Sequence, residues 1–165
     1  MHMKEAVIET SRLFIREFEA EDIDALYDLY EESDTQFLQP LSADRGEELE
    51  KLKSYIHYIY GFYGFGLWAV CLKDNGRIIG RCGIQVLFLA EWEEGEYELG
   101  YMISGKYTGQ GYGREAVEGI LGYAREELEA SRIILRIDKK NKDSIRFSEK
   151  LGFRKWEKDL YFYEL

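Results

Sequence analysis

Apolar residues along this chain shift their spacing from every second position to every third or fourth and back, and each shift marks an element. Arg12-Leu-Phe-Ile-Arg-Glu-Phe18 alternates as a first strand does. Glu21-Asp-Ile-Asp24 opens a helix with acids in the turn where the helix dipole favours them, and Ile23, Leu26, Tyr27 and Tyr30 give it an apolar stripe. Ser33 to Arg45, with the only proline at Pro40, reads as a loop. From about Gly46 a second helix carries Leu49, Leu52, Ile56 and Ile59 on one side, and Gly61-Phe-Tyr-Gly-Phe-Gly66 ends it. Leu67 to Leu72 is a strand, Asp74-Asn-Gly76 a hairpin turn, and Arg77 to Phe88 the long return strand. Gly80 and Gly83 in that strand predict a bend or a close neighbour, and Ala90 to Gly95 is a polar turn.

The second half is organised around Met102 to Ala116. The preceding Glu96-Tyr-Glu-Leu-Gly-Tyr-Met-Ile103 reads as a strand, and Ala116, Val117, Ile120, Leu121, Ala124 and Leu128 recur at helical spacing after it. Arg132 to Ile137 is a compact apolar strand. The helix before it is a crossover, which makes this strand a parallel partner of Glu96–Ile103. Asn141-Lys-Asp-Ser144 begins a short helix with Ile145, Ser148 and Leu151 on one face, Gly152 ends it, and Phe153 to Leu165 supplies one or two closing strands. With no repeat, low-complexity stretch or linker, residues 1–165 read as one α/β domain on a mostly antiparallel sheet.

Composition narrows the function classes. The 165 residues suffice for one domain with a core. No apolar run approaches the ~20 residues that cross a bilayer and no secretory leader is visible, so the expectation is a cytoplasmic protein without a membrane partner. His2 and Met3, directly after Met1, read as a cloning remnant and carry no argument. Cys71 and Cys82 have neither metal-ligand spacing nor a disulfide framework, and no metal is expected. A net charge of −10 argues against a nucleic-acid partner. The charge is uneven: Arg132 to Lys158 holds ten Lys and Arg against four Asp and Glu, whereas Glu17 to Asp34 and Glu91 to Glu98 are acidic. Solvated faces explain any single charge, but the pattern suits an anionic cofactor at one end and a cationic substrate at the other.

Gly105, Gly109, Gly111 and Gly113 lie between strand and helix. Such a loop bares backbone N–H groups at the positive end of a helix, where a pyrophosphate binds well. It is not a P-loop, because no Lys-Ser or Lys-Thr follows, and its glycines lack the G-x-G-x-x-G spacing. An ordinary strand-to-helix turn is the competing reading. Tyr55, Tyr58, Tyr60, Phe62, Tyr63 and Phe65 are explained mostly by core packing, with a pocket wall as the lesser alternative, and His57 reads as a surface or half-buried residue.

Three features together resemble the GNAT superfamily of N-acetyltransferases. The loop Thr108-Gly-Gln-Gly111-Tyr-Gly113 is similar to the family pattern Q/R-x-x-G-x-G/A. Asn141-Lys-Asp-Ser144 leading to Glu149-Lys-Leu-Gly-Phe153 resembles the family's second cofactor helix, and the order of elements matches. Thr10-Ser-Arg-Leu13, Glu98-Leu-Gly-Tyr101 and Gly111-Tyr-Gly-Arg-Glu-Ala116 look most like the branch that includes ribosomal-protein N-terminal alanine acetyltransferases. The resemblance implies an α/β (α+β) acyl-coenzyme A N-acyltransferase fold: a mixed, mostly antiparallel sheet with one splayed parallel pair and helices on both faces. It also departs from the pattern in two places: Thr108 occupies the Q/R position, and Ser148 stands where many relatives carry a tyrosine that protonates the thiolate.

The implied reaction is acetyl transfer from acetyl-coenzyme A to an amine, either a protein N-terminus or a small molecule, by a monomer or homodimer. An alkylammonium with pKa ~10 is almost wholly protonated at pH 7, so a base must act. Glu98 is the first candidate and Glu96, on the same strand face, the second; solvated strand carboxylates are the alternative for both. Backbone N–H groups near Met102 and Ile103 would polarise the thioester, and Thr108, Gly109, Gln110, Gly111, Tyr112, Gly113 and Arg114 would take the pyrophosphate. Asn141 would hydrogen-bond the pantetheine with Ser144 in support; Ser148 is the catalytic candidate at the position of the thiolate's acid, and because a serine hydroxyl is a much poorer acid than a phenol, water or another tyrosine is the alternative proton source. A non-catalytic acyl-coenzyme A sensor and an interaction module are the two other readings.

Overall fold

The computed structural model describes residues 5–165, so His2 and Met3 lie outside it. Its centre is an eight-stranded sheet in the order β1-β2-β3-β4-β5-β6-β8-β7. The strands are β1 (Ala6–Glu9), β2 (Leu13–Arg16), β3 (Leu67–Leu72), β4 (Ile78–Leu87), β5 (Glu96–Ile103), β6 (Arg132–Arg136), β7 (Arg154–Glu157) and β8 (Leu160–Glu164). Every neighbouring pair is antiparallel except β5 and β6. The crossover helix forces that exception, since it returns the chain to the end of the sheet from which β5 began.

Helices cover both faces. On one, α4 (Tyr112–Glu126) and α5 (Lys142–Leu151) pack a core in which Val117, Ile120 and Leu121 meet Leu13, Val70, Ile79, Leu99 and Ile133. On the other, α1 (Ile23–Glu31) and α2 (Arg45–Tyr55) bury Leu26, Leu29 and Leu52 against Ala69, Cys71, Ile78 and Met102. The strand and helix positions expected from periodicity are present, including both closing strands. The edge strand β1 is additional: Ala6–Glu9 is half exposed, so its alternation carries little apolar signal.

Two departures from regularity matter for the site. After α2 the helix widens into a π-turn over Ile56–Tyr60 before the last turn, α3 (Gly61–Tyr63), closes at Gly64 with φ +77°. Residues five apart on an α-helix lie about 140° apart; the wider turn instead brings Tyr55 and Tyr60 together, ring centroids 5.3 Å apart and edge to face. Their hydroxyls clamp one residue of β3: Leu67 N donates to Tyr55 Oη at 2.9 Å, and Tyr60 Oη donates to the Leu67 carbonyl at 2.5 Å. Gly83 is the close neighbour expected of it, because a Cβ there would stand 1.9 Å from the Gly66 carbonyl oxygen.

Candidate active site

The glycine loop is held at both ends by carboxylate contacts between residues far apart in sequence. At its start, the Glu32 carbonyl accepts from Gly105 N at 2.7 Å. The Glu32 carboxylate accepts from Ser104 Oγ at 2.9 Å, Lys106 Nζ at 3.1 Å and Arg77 Nη2 at 2.7 Å. Burial alone would raise this acid; donation from Lys106 and Ser104 and the charges of Arg77 and Lys106 outweigh it and hold its carboxyl below the usual carboxylate value.

At the far end, Glu115 in the first turn of α4 accepts from Thr10 Oγ1, from Arg12 N at 2.9 Å and from Arg12 Nε at 2.8 Å. Again burial would raise the group, and these donors together bring it below its ordinary value. Arg12 also donates to the Gln110 carbonyl at 3.1 Å and lies 4.1 Å over the Tyr112 ring. The residues quoted above for their likeness to one branch, Thr10, Arg12 and Glu115, thus have a mechanical reason: they clamp the loop against α4.

Between the clamps the chain passes through Gly109 at φ +76° and Gly111 at φ +84°, a backbone region open to glycine and strained for other residues. The amides of residues 109–114 donate to no acceptor among the described residues; the first helical bond runs from Glu115 N to the Gly111 carbonyl. This is the N-terminal end of a fifteen-residue helix, where such groups and the helix dipole favour an anion. Thr108 does not project into that row: its hydroxyl donates to the Gly105 carbonyl at 3.1 Å. Arg114 pairs with Glu118 at 2.9 Å on the exposed side of α4.

β5 and β6 are in register only at Glu98 and Ile134, while β5 continues to Ile103. Beyond that point the two strands part. Ser104 N donates to the Ile79 carbonyl on the β4 side, so strand alternation directs Met102 toward β4 and turns the amides of Tyr101 and Ile103 into the gap. Of the two backbone positions expected to serve there, Ile103 faces the opening and Met102 is part of the ladder.

Across the gap stands α5. Asn141 caps it, its Oδ1 accepting from Ser144 N at 3.2 Å, which leaves the Nδ2 group as a donor. The Ser144 hydroxyl lies 2.5 Å from Tyr101 Oη. Burial raises Tyr101 above its ordinary value and the Ser144 hydrogen bond only partly offsets this, so the phenol keeps its proton at neutral pH. Ser148 is fully buried and donates to the Ile145 carbonyl at 2.9 Å. The tyrosine–serine pair was not singled out in the sequence, because β5 and α5 are brought together only by the fold.

Glu98 and Glu96 both face β6 arginines. Glu98 is 6% exposed and takes two hydrogen bonds from Arg136, at 2.5 and 3.0 Å. Glu96 is held the same way by Arg132, with Nε donating at 3.1 Å. Above this face of the sheet, Phe18, Glu19, Glu21, Lys53, Ile56 and His57 line an open cavity of about 720 Å³. The exposed His57 stands on its rim.

A clamped glycine loop at a helix start, beside a parallel pair that opens, is the geometry expected of an acyl-coenzyme A transferase. The profile of the acetyltransferase (GNAT) domain matches residues 12–154 of this chain. The chain belongs to the GNAT acetyltransferase family. It is 30% identical over 148 residues to the uncharacterized N-acetyltransferase YnaD of Bacillus subtilis (strain 168), spanning 90% of this chain and 82% of YnaD. A GNAT-family acetyltransferase from Bordetella pertussis superposes with a TM-score of 0.79 at 18% identity, covering 96% of this chain and 99% of that one. A ribosomal-protein-serine acetyltransferase from Vibrio cholerae gives 0.79 at 19% identity, with 96% and 97% covered. These last two likenesses concern the GNAT fold alone. Among the described residues no group of three or more His, Cys, Asp or Glu is placed to hold a metal ion, and no helix is long and apolar enough to cross a membrane.

Proposed function

We propose that this GNAT protein transfers the acetyl group of acetyl-coenzyme A to the amine of an acceptor by direct attack. The row of unengaged amides at residues 109–114, clamped through Glu32 and Glu115, carries the reading. Acetyl-coenzyme A supplies an activated thioester and a diphosphate. The diphosphate suits that amide row, and the N–H groups of Tyr101 and Ile103 would hold the thioester oxygen as negative charge develops on it. Asn141 Nδ2 would meet the pantetheine amides.

Glu98 is the proposed proton acceptor for the acceptor's ammonium. Because both its oxygens are engaged, Arg136 must yield one of them, and its side chain, 53% exposed, has the room to do so. As the nitrogen–carbon bond forms and the carbon–sulfur bond breaks, the Tyr101 phenol gives its proton to the leaving thiolate and recovers one from the acylated nitrogen, with Ser144 steadying the phenol. Ser148, sealed inside α5, is given no part in that step. The same reading puts the protein in the cytoplasm, in keeping with its free cysteines, Cys71 and Cys82.

Calorimetry and thermal unfolding with acetyl-coenzyme A test the proposal. Binding and a raised Tm are expected of the natural chain, and neither of Gly111→Glu, which meets a φ of +84° and opposes the diphosphate with like charge. No affinity for the coenzyme would overturn the reading. Binding without turnover on a broad amine panel would favour the sensor instead.

A further inference from the structure

Three arginines of the described residues are half-buried: Arg16, Arg81 and Arg132. Arg16 forks onto both oxygens of Asp22, at 2.7 and 2.9 Å, and Arg132 onto Glu96. Arg81 has no carboxylate within ion-pair distance among the described residues. It donates to the phenol oxygen of Tyr30 at 2.6 Å and lies 5.3 Å from that ring's centre. Removing a guanidinium from water is costly unless a counter-charge meets it, and a phenol supplies none.

Arg81 is not packed into the core. It lines a cavity of about 140 Å³ with Phe18, Leu26, Tyr55 and Leu67, while Glu48 and Lys51 also border it. Glu48 is already committed, accepting from Ser42 N at 3.1 Å and facing Lys51 at 4.0 Å. The cavity therefore presents apolar walls around one uncommitted guanidinium. A cavity near this size accepts a six-membered ring in other proteins.

Its position ties it to the reaction centre. Arg81 is opposite Met102 in the β4–β5 ladder, so only β5, about 5 Å away, separates its strand from the gap toward β6. Leu67, fixed by Tyr55 and Tyr60, lies against Gly100, where a Cβ would meet its Cδ2 at 2.7 Å. Gly100 is two residues past the last β5–β6 register pair.

We infer that this cavity is the seat of the acceptor's anionic group, and that the acceptor is a small amine bearing a carboxylate. Arg81 forks onto that carboxylate, the apolar walls take the intervening carbons, and the amine crosses β5 to the gap. The inference rests on the acetyltransferase reading for the fate of the amine, but the anion site stands on Arg81 and its cavity. A protein N-terminus and a polyamine carry no such carboxylate.

The test is a panel of amino acids with increasing amine-to-carboxylate spacing, each beside its primary amide, with simple diamines. Acids are expected to exceed their amides in kcat/KM by about 10–100-fold, the scale of one charge-assisted fork. Arg81→Met is expected to erase that preference by acting on the acids alone. Arg81→Lys, which keeps the charge and loses the fork, should retain part of it, and Tyr30→Phe most of it. Equal turnover of acids and amides, or an equal loss of both in Arg81→Met, would sink the inference while leaving an acetyltransferase. If no amine is turned over, calorimetric titration of the acids onto the protein decides: binding lost in Arg81→Met supports the site, and no binding overturns it. Failure of acetyl-coenzyme A to bind is a separate result and overturns the proposed reaction instead.

Discussion

The two sides of the β5–β6 opening are built on different physical principles. On the proposed coenzyme side, recognition would belong to the main chain. Side chains there serve as clamps: Glu32 and Glu115 hold the loop. On the proposed acceptor side, recognition would belong to side chains seated on the sheet, Glu98 and Arg81, with Tyr55 beside Arg81. The proposed amide row does not depend on the Thr108 side chain, whose hydroxyl is turned to the Gly105 carbonyl. The acceptor side would be open to change by a single substitution, because it rests on individual side chains.

Breaking the main-chain side should have the largest effect. Gly111→Glu is expected to remove the Tm response to acetyl-coenzyme A altogether, because strain and charge repulsion act at the same residue. Next is the acceptor side. Glu98→Gln should lower kcat by about 10²–10⁴-fold, the usual contribution of a general base, with coenzyme affinity by calorimetry unchanged. A parallel loss of affinity would show that Glu98 instead braces the splay. Tyr101→Phe should lower kcat by about tenfold with little change in the coenzyme KM, whereas Ser148→Ala should leave kcat within about twofold and cost about 1 kcal/mol of stability. The reverse ranking would restore Ser148 as the group nearest sulfur.

The clamps predict a smaller, pH-dependent effect. Glu115 and Glu32 are both held below the ordinary carboxylate value of 4.5. A depressed acid stabilises the native loop fully above its unfolded value and loses that contribution as pH falls through the lower folded value. Coenzyme affinity limited by the clamps should therefore be flat from neutral pH down to about 4.5 and fall below it. Glu115→Gln should weaken coenzyme binding about tenfold at neutral pH and flatten that acidic decline. An unchanged decline in Glu115→Gln would assign it to Glu32 or to the coenzyme itself.

Read residue by residue, the chain announced its coenzyme side more clearly than its acceptor side. The strand from Glu96 to Ile103 has the bounds that its aromatic residues and Ile103 indicate. Gly111 and Gly152 stand where left-handed backbone is required. Such signals are local, and local conformation is written in local sequence. Asn141 was legible for the same reason: its cap closes within three residues.

What the linear order could not show was which distant groups meet. The sequence by itself determined the alternation of strands and helices, the single parallel crossover, and a helix start with exposed amides. Those follow from side-chain periodicity and from the few residues that tolerate φ above zero. Only the tertiary structure decided that Arg12 clamps Glu115 across 103 positions, that Tyr101 rather than Ser148 shares a proton-bearing pair with Ser144, and that among the described residues Arg81 meets no carboxylate while Arg16 and Arg132 do. Charge pairing and burial depend on distance in space, and a sheet that joins residues a hundred positions apart sets those distances by its register.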